Sequence, residues 1–528
     1  MIEHLKTGIL YTALGKYSNV LIQLVINIVL SRVLTPHDYG LVAVVQVFLV
    51  FFTTIVDAGL GPAIIQNKSL TEHDNRVLFT YSLLFVVLLC IVFALCGYPI
   101  SLLYGNSIYI SLSLAMSVTL FFLGINMVPN ALLDKMKRFR AVNMRLVLAN
   151  LCGGIVGVST AFMGWGAYAL VAGLTVPGIV SFVLNVWLLR LAPAAHLDKT
   201  VLDKVWTFAK NQFGFNLINY FSRNADTILI GKVFGPTAVA NYSKAYQLLM
   251  MPNNVLLGII NPVLLPILSD YQDDVAYIRQ AYLKIVHVLA LIGVPLSVFL
   301  CIEGHDIIFT LFGNQWGDAV PPFMILSLTV WVQMTLSSTG AVFQALNKTH
   351  QLFVTGILSA VLLVSSIVIG IFMGSINTVA IALSVGFVLN FLLNYAIMMT
   401  VVLDSSLVAL LKEFITPFGI GIVLAAVLIP LKMVVPVFLP IVNLIIYGAI
   451  TVIVFLLCLI ATGEGRSMLT LLSPRRDGKP VTADDAIDDS TGHDTRLTSK
   501  DAYKAITYQA NAGARGRTQA PPRHARRD

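Results

Sequence analysis

Long uninterrupted apolar stretches fill this chain from residue 8 to about residue 461. Each is about 20 residues or longer, and a helix of that length crosses roughly 30 Å of lipid hydrocarbon. A membrane β-barrel would instead alternate apolar and polar residues in segments of about ten. The pattern therefore predicts an all-α integral membrane protein with about 14 transmembrane helices. We place the spans near 8–31, 40–65, 77–98, 107–130, 143–163, 167–190, 207–234, 238–268, 281–302, 320–344, 352–373, 377–402, 410–430 and 437–461.

Composition supports a membrane location for most of the 528 residues. Only 11% of them are charged and 57% are hydrophobic, whereas a soluble domain carries about 25% charged residues. All five cysteines fall inside apolar stretches and none belongs to a CxxC pair. We therefore expect neither a disulfide nor a zinc site.

The second half of the apolar region begins by repeating the first at an offset of about 200 residues. Residues 32–36 are Arg-Val-Leu-Thr-Pro, and residues 232–236 are Lys-Val-Phe-Gly-Pro. Many secondary transporters are built from such repeats and hold their substrate between the two halves. We predict an N-terminal six-helix lobe over 1–200, a second lobe over 201–404 and two further spans over 405–461.

The basic residues predict the orientation of the spans. An even number of spans puts both termini on one side, and cytoplasmic loops carry an excess of Lys and Arg. With the N-terminus inside, only Arg32, Lys232 and Lys432 fall in outer loops or at their edges. The inner loops hold Lys68, Arg76, Lys135, Lys137, Arg138, Arg140, Lys199, Lys204, Arg279, Lys348 and Lys412. Both termini are therefore expected in the cytoplasm.

Residues 462–528 differ sharply in composition from the rest of the chain. They are rich in Asp, Arg, Thr, Ala and Gly and contain no apolar run. Such a segment cannot bury enough apolar area to offset the entropy of ordering it. We predict a disordered cytoplasmic tail.

Polar side chains form a stripe on one face of the first span and another on the seventh. Spacings of three or four residues place side chains on the same helix face. Two equivalent polar faces in two repeated halves predict a shared central cavity. The first stripe is Lys16, Asn19, Gln23 and Asn27, and the second is Gln212, Asn216, Asn219, Arg223 and Asp226.

Ionisable residues inside a membrane usually face a cavity or a partner, because burying a charge in lipid is costly. Lys16 and Arg223 could bind an anion such as a phosphate, while Arg223 could equally form a structural ion pair with Asp226. Lys244, in the eighth span, could face the cavity or extend toward the interface. Asp57 and Asp226 are candidate cation sites for coupling, although Asp57 lies near the inner end of its span.

Motifs for catalysis and nucleotide use are absent from the sequence. It contains no GxxxxGK[ST], HExxH or GxSxG motif and no Cys/His cluster of metal-ligand spacing. We therefore expect no cofactor, no nucleic-acid partner and no enzymatic activity. The acidic outer segment from Glu303 to Asp318, with His305, comes nearest to a catalytic cluster, and we expect Glu303 to be solvated.

Four segments resemble the polysaccharide transporter family, the oligosaccharide flippases of the multidrug/oligosaccharidyl-lipid/polysaccharide exporter superfamily. Residues 30–41 are similar to its signature between helices 1 and 2, a pattern of Arg-x-Leu-x-Pro-x-Asp-(Phe/Tyr)-Gly. Residues 57–66 resemble the end of helix 2 in the colanic and teichuronic acid exporter branch. Residues 224–236 and 242–249 resemble segments of helices 7 and 8. The similarity covers roughly residues 5 to 460.

The resemblance implies two six-helix lobes in a V that opens alternately to each side of the bacterial cytoplasmic membrane. The implied substrate is a polyprenyl-pyrophosphate-linked oligosaccharide, carried from the inner to the outer leaflet, and the implied partners are a polysaccharide polymerase and glycosyltransferases. Lys16 and Arg223 would hold the pyrophosphate. Asn19, Gln23, Asn216 and Asn219 would bind sugar hydroxyls.

The resemblance also gives Arg32 and Lys232 a role in closing the outer gate or in drawing the headgroup across. An equally plausible role is to lock the helix turns before Pro36 and Pro236. Two other functions stay open: a small-molecule antiporter of the same superfamily, which would rely on acidic cavity residues, and an integral-membrane glycan polymerase or transferase. Export could be driven by the membrane potential or by proton or sodium antiport through Asp226 or Asp57.

Overall fold

The computed structural model describes residues 2–57, 60–67, 70–194, 198, 201, 220, 224–434 and 439–465. It describes the side chains of these residues except for 2–17, 60, 139 and 255–263. Every regular element within these ranges is a helix, so the predicted all-α class is confirmed.

Helices begin and end close to the predicted limits of the spans. The first eight helices are α1 (Ile2–Val33), α2 (Pro36–Asp57), α3 (Leu60–Gln66), α4 (Glu72–Tyr104), α5 (Ile108–Ile125), α6 (Met127–Lys135), α7 (Phe139–Phe162) and α8 (Ala167–Leu189). They are followed by α9 (224–234), α10 (Pro236–Ser269), α11 (Val275–Ile302), α12 (Gly304–Leu311), α13 (Val320–Ser327), α14 (Val330–Leu336), α15 (Thr339–Ala345), α16 (Thr349–Phe372) and α17 (Ile376–Ile397). The remaining helices are α18 (Leu407–Lys412), α19 (Ile415–Val434) and α20 (Pro440–Ala461).

Within the described residues, ten helices are long and apolar enough to cross a membrane, or eleven if one bent pair is a single span. The protein is therefore a multi-pass membrane protein. The predicted seventh span runs into residues outside the described set, and the predicted first and eighth spans contain residues whose side chains are not described. The total of 14 therefore remains a prediction. The predicted tail lies, beyond residue 465, outside the described residues as well.

The predicted tenth span is bent rather than continuous. Its two parts, Asn314–Ser327 and Val330–Ala345, meet at an angle of 53°. At the bend, the Thr329 hydroxyl donates a 2.7 Å hydrogen bond to the carbonyl oxygen of Leu326. A side-chain hydroxyl that bonds a nearby backbone carbonyl competes with the regular helix ladder and bends the helix. Hydropathy alone carries no signal for this bend.

We divide the helices in chain order into two groups, α1 to α8 and α9 to α20, which meet along α2 and α10. In the first group α1 packs on α7, α7 on α8, and α4 on α5. In the second, α11 packs on α14 and α19, and α16 packs on α17. Contacts between α2 and α10 join the groups. The lobe boundaries at residues 200 and 404 remain a prediction.

Ion pairs fasten α19 and α20 to α11. Near one end of these helices, His287 Nδ1 lies 3.2 Å from Glu413 Oε2 and His287 Nε2 lies 3.1 Å from Glu464 Oε1. At the other end, Lys432 Nζ lies 3.1 Å from Glu303 Oε1 and 3.5 Å from Asp306 Oδ2. The expectation that Glu303 is solvated is wrong, because its side chain is 0% exposed.

Candidate functional site

Three cavities follow α2 through the helix bundle. We name the two ends of the bundle by residues of α1 and α2. The Arg32 end is where α1 stops and α2 starts, and the Asp57 end is where α2 stops. Thr53 lines all three cavities and Asp57 lines two of them. The upper cavity, nearest the Arg32 end, has about 640 Å³. The lower cavity has about 870 Å³, and a side cavity has about 340 Å³.

Part of the polar stripe of α1 lines the upper cavity. Gln23 is exposed and lines this cavity together with Asn27. Asn19 lies further along the helix, where its Oδ1 accepts a 2.6 Å hydrogen bond from Asn150 Nδ2 of α7. The side chain of Lys16 lies outside the described residues. Gln23 and Asn27 are therefore placed to contact a solute in the upper cavity.

Most of the second stripe falls outside the described residues, namely Gln212, Asn216, Asn219 and Arg223. Asp226 is described and lines the lower cavity with Asn224. The backbone N–H of Thr227 donates a 2.7 Å hydrogen bond to Asp226 Oδ1. The alternative of a structural pair between Arg223 and Asp226 remains a prediction.

Lys244 lies at the boundary between the two helix groups. It belongs to α10 and is only 4% exposed, yet it lines the upper cavity. Its Nζ donates hydrogen bonds to Asn27 Oδ1 and, at 2.7 Å, to Ser31 Oγ, both on α1. The ammonium group also lies 4.1 Å from the ring centroid of Tyr39. Lys244 thus faces the cavity and joins α1 to α10 at the same time.

The charge of the lining is mixed. Among the described lining residues, Asp57, Asp134 and Asp226 are acidic and Lys244 is basic. Asp57 is exposed, so solvent reaches it at the end of α2. The predicted excess of positive charge in the cavity depends on Lys16 and Arg223, whose side chains fall outside the described set.

Arg32 and Lys232 each donate a hydrogen bond to the C-terminal turn of a helix in the other helix group. Arg32, in the last turn of α1, donates to the carbonyl oxygen of Thr310 in the last turn of α12. Lys232, on α9, donates to the carbonyl oxygen of Leu103 in the last turn of α4. The last carbonyls of a helix lack partners within that helix and carry partial negative charge, so they bind cations well. Each basic residue therefore links one helix group to the other.

Further bonds close the Arg32 end. Trp316 Nε1 donates a 2.8 Å hydrogen bond to the carbonyl oxygen of Ser31, and Gln315 Nε2 donates a 2.8 Å bond to that of Leu34. The Tyr104 hydroxyl donates a 3.2 Å bond to the carbonyl oxygen of Ile228. We call this set, together with the bonds of Arg32, Lys232 and Lys244, the outer seam, after the predicted position of the Arg32 end on the outer side of the membrane.

Two helix N-termini also touch at the outer seam. A Cβ atom placed on Gly40 of α2 would lie 1.8 Å from the carbonyl oxygen of Pro236 at the start of α10. Real Cβ atoms do not come so close to a backbone atom, so this contact requires glycine. Most hydrogen bonds between the groups, in the part of the chain that the structure describes, lie at this end. Deeper in the bundle, Tyr220 bonds the backbone of the middle of α2, at Val47 and Phe51. Toward the Asp57 end the groups instead enclose the lower cavity.

Several site residues could not be found from their own position in the sequence. Asn150 lies in a stretch of α7, residues 146–158, that is otherwise apolar, and only the packing of α7 on α1 shows that it pairs with Asn19. Phe312 and Trp316 approach Lys244 from a segment that was considered only for its acidic residues. Tyr39 belonged to the family signature, but that signature did not indicate a contact with a lysine.

The comparisons with known proteins agree with this architecture. Teichuronic acid biosynthesis protein TuaB of Bacillus subtilis (strain 168) is 23% identical over 440 residues, which cover 80% of this chain and 88% of TuaB. Lipopolysaccharide biosynthesis protein WzxC of Escherichia coli (strain K12) is 23% identical over 400 residues, covering 75% of this chain and 80% of WzxC. The lipid II flippase MurJ, in an inward closed conformation, has the same fold, with a TM-score of 0.68 at 13% identity. That match covers 87% of this chain and 100% of MurJ.

A family model described as "Polysaccharide biosynthesis protein" matches residues 29–321. The matched region contains the signature between α1 and α2, the outer seam and the residues of α10 that line the upper cavity. It also includes more than half of the 528 residues. The chain is therefore a member of this polysaccharide biosynthesis protein family, as its sequence signatures predicted.

Proposed function

We propose that this protein is a flippase for polyprenyl-pyrophosphate-linked oligosaccharides in a bacterial cytoplasmic membrane. The observation that carries the proposal is a polar, partly charged cavity between two helix groups whose hydrogen bonds to each other, among the described residues, lie mainly at the Arg32 end. A substrate held midway between two such groups can be exposed to one side at a time. Membership of the polysaccharide biosynthesis family supports a glycan substrate.

The cavity chemistry suits the two polar parts of this substrate. Amide side chains both donate and accept hydrogen bonds, which matches sugar hydroxyls. Gln23 and Asn27 are in place for that role, and Asn19, Asn216 and Asn219 would extend the same surface. Lys244, together with Lys16 and Arg223, would bind the pyrophosphate. The polyprenyl chain would lie in an apolar gap between helices.

We assign the Arg32 end to the outer side of the membrane and both termini to the cytoplasm, because the inner loops hold most of the basic residues. The conformation described above is then closed outward. Arg32 and Lys232 act as the outer gate, since each must release a carbonyl oxygen of the opposite group before the outer end can open.

Two energy sources fit the proposal. Moving a negative charge outward across an inside-negative membrane gains about 2.3 kcal/mol per charge per 100 mV. Alternatively, Asp226 or Asp57 could bind a proton or sodium ion that travels inward while the substrate moves outward. A polysaccharide polymerase and glycosyltransferases would act on the same lipid-linked substrate and are the partners we propose.

The proposal is tested in a bacterial strain that lacks its own oligosaccharide flippase but still makes lipid-linked oligosaccharides. The measurement is the share of these molecules in each leaflet, with and without this protein. We expect accumulation in the inner leaflet to be relieved, and the sugars relieved would define specificity. Continued accumulation across several glycan types, with the protein present in the membrane, would refute the proposal.

A small-molecule antiporter is the second candidate, because three of the four charged residues described in the cavity linings are aspartates. Its test is proton release from energised vesicles when a cationic drug is added. Drug-dependent proton movement in the absence of oligosaccharide flipping would favour this candidate.

A further inference from the structure

Lys244 is a buried cation that no carboxylate neutralises within the described structure. Its Nζ interacts with the Asn27 side-chain oxygen, the Ser31 hydroxyl and three aromatic rings. Those rings belong to Tyr39, Phe312 and Trp316, at 4.1, 4.6 and 5.2 Å from the ammonium group. Dipoles and ring faces stabilise a cation, but each does so less than a full opposite charge.

The same group is part of the outer seam. Lys244 belongs to α10, Asn27 and Ser31 belong to α1, and Tyr39 belongs to α2. Tyr39 and Trp316 pack edge to face with ring centroids 5.3 Å apart. Separating the two helix groups at the Arg32 end would remove the ammonium group from Asn27, Ser31 and Tyr39.

Lys244 is also reachable from the upper cavity, whose lining it shares with Gln23, Asn27, Gln46 and Gln247. A phosphate oxygen in this cavity would offer the ammonium a charged acceptor. A charge-assisted bond between two ions is roughly twice as strong as a neutral one, and more so away from water. An anion and the outer seam therefore compete for one lysine.

We propose that Lys244 couples substrate binding to the outer seam: a phosphate group entering the upper cavity draws the Lys244 ammonium away from Asn27 and Ser31, which favours separation of α1 from α10 at the Arg32 end. This inference rests on the proposed function, which supplies the anion. A ligand shifts a conformational equilibrium only if it binds one state more tightly than the other. The pyrophosphate does so here because it can bind Lys244 fully only when the seam releases it.

The test uses the full-length protein in lipid nanodiscs, with the five native cysteines replaced by alanine. Spin labels are attached to Ser107→Cys in the first helix group and Asp318→Cys in the second, because both residues are exposed near the Arg32 end. Pulsed dipolar spectroscopy then gives the distance distribution between the labels. The probes are farnesyl pyrophosphate, inorganic pyrophosphate and uncharged farnesol.

We expect saturating farnesyl pyrophosphate to lengthen the distances in the parent protein and farnesol to leave them unchanged. In Lys244→Met the distances should not respond to the anion, whereas Lys244→Arg should retain a response. Lys284→Met, which removes an exposed lysine from α11, is the matched control and should respond like the parent. A response to inorganic pyrophosphate alone would support the inference and identify a free anion as sufficient.

Binding is measured separately by titration, so that weak binding is not mistaken for lost coupling. We expect Lys244→Met to bind farnesyl pyrophosphate about tenfold more weakly, the loss of one charge-assisted bond. An unchanged distance response in Lys244→Met at saturation would overturn the inference while leaving the proposed function intact. Failure of the parent protein to bind farnesyl pyrophosphate would instead overturn both.

Discussion

Gly40 illustrates what a single residue controls at the outer seam. The sequence marked it as part of a family signature, but the contact that requires a glycine here is with Pro236, almost 200 positions further along the chain. Its α-carbon faces the carbonyl oxygen of Pro236 so closely that a side chain cannot fit. The resemblance could therefore indicate that a glycine belongs here, while only the packing of α2 on α10 explains it.

We predict that Gly40→Ala opens the outer seam. The added methyl group would overlap the Pro236 oxygen, and overpacking of this kind costs about 1–3 kcal/mol. The fraction of molecules with long distances between labels at Ser107→Cys and Asp318→Cys should rise about tenfold. Gly356→Ala is the control, because nothing lies within 4 Å of a Cβ atom at that position on α16. Unchanged distances in Gly40→Ala would show that the seam tolerates the methyl group.

Arg223 is the residue on which the proposed anion site most depends. We predict that Arg223→Ala abolishes export of lipid-linked oligosaccharide and leaves insertion into the membrane intact, because a guanidinium group suits pyrophosphate geometry. Export is measured in the flippase-deficient strain, and membrane levels of the protein are measured alongside. Arg138→Ala, at an exposed position in the predicted inner loop between α6 and α7, is the control. Normal export by well-expressed Arg223→Ala would remove Arg223 from the substrate site.

Spacing indicates which side chains share a helix face but not what they contact. Gln23 and Asn27, four residues apart on α1, both line the upper cavity, and their role in binding substrate stays a prediction. Their partners come from other helices and have no fixed spacing in the sequence. That is why Asn150, Phe312 and Trp316 were not predicted as parts of the site.

At the scale of elements, Arg32 and Lys232 place positive charge on helix C-termini of the opposite group. The 200-residue repeat aligned the two residues but did not show what they contact. Their acceptors, Thr310 and Leu103, lie in non-equivalent helices. The repeat thus preserves the basic residues at the ends of α1 and α9, while the helix that each one caps differs.

We predict that Arg32→Gln and Lys232→Gln each weaken the outer seam, by about 0.3–1 kcal/mol, since a cation at an exposed helix C-terminus contributes that much. The double variant should approach the sum, because the two contacts share no partner. The readout is the population of long label distances at the seam. An effect of the same size from Arg138→Gln would attribute the change to net charge instead.

The helices α19 and α20 are tied to α11 and α12 by buried charges that their apolar sequences did not suggest. Burial raises the pKa of the Glu303 carboxyl group, and the neighbouring Lys432 ammonium opposes that shift. Asn443 Nδ2 donates a 3.2 Å hydrogen bond to Asp306 Oδ2 and so brings α20 into the same cluster. The cluster adjoins α12, whose Thr310 binds Arg32.

We predict that Lys432→Met lowers the free energy of unfolding of the detergent-solubilised protein by about 1–3 kcal/mol, because it leaves Glu303 buried without its cation. The measurement is the melting temperature, which should fall. Adding Glu303→Gln should restore much of that loss. Lys412→Met, at an exposed lysine in α18, should have little effect. Equal destabilisation by Lys432→Met with and without Glu303→Gln would show that the two residues are not coupled.

At the scale of the whole molecule, hydropathy was enough to predict the helical class and the approximate limits of the long apolar helices that the structure describes. It could not predict the bend of 53° within the tenth span, which arises where helix backbone and side-chain hydroxyls compete. Nor could it predict which end of the bundle is closed. That depends on contacts between distant helices, such as those of Ser31 with Trp316 and Lys244.

The predicted orientation is tested with single cysteines at Ser107 and Lys348 in the cysteine-free protein, since both residues are exposed. We predict that a membrane-impermeant maleimide labels Ser107→Cys on intact spheroplasts and labels Lys348→Cys only after permeabilisation. The excess of basic residues in the inner loops is the physical reason. The reverse labelling pattern would place the Arg32 end in the cytoplasm.

Flipping by the purified protein tests the central claim most directly. The full-length protein is reconstituted into liposomes that carry a fluorescent polyprenyl-pyrophosphate-linked oligosaccharide in both leaflets, and an impermeant reductant that irreversibly destroys the fluorophore is added outside. Without flipping, about half of the fluorescence is protected. We predict that the protected fraction disappears with the protein and persists with Arg223→Ala protein. A protected fraction that persists with correctly folded parent protein would contradict the account.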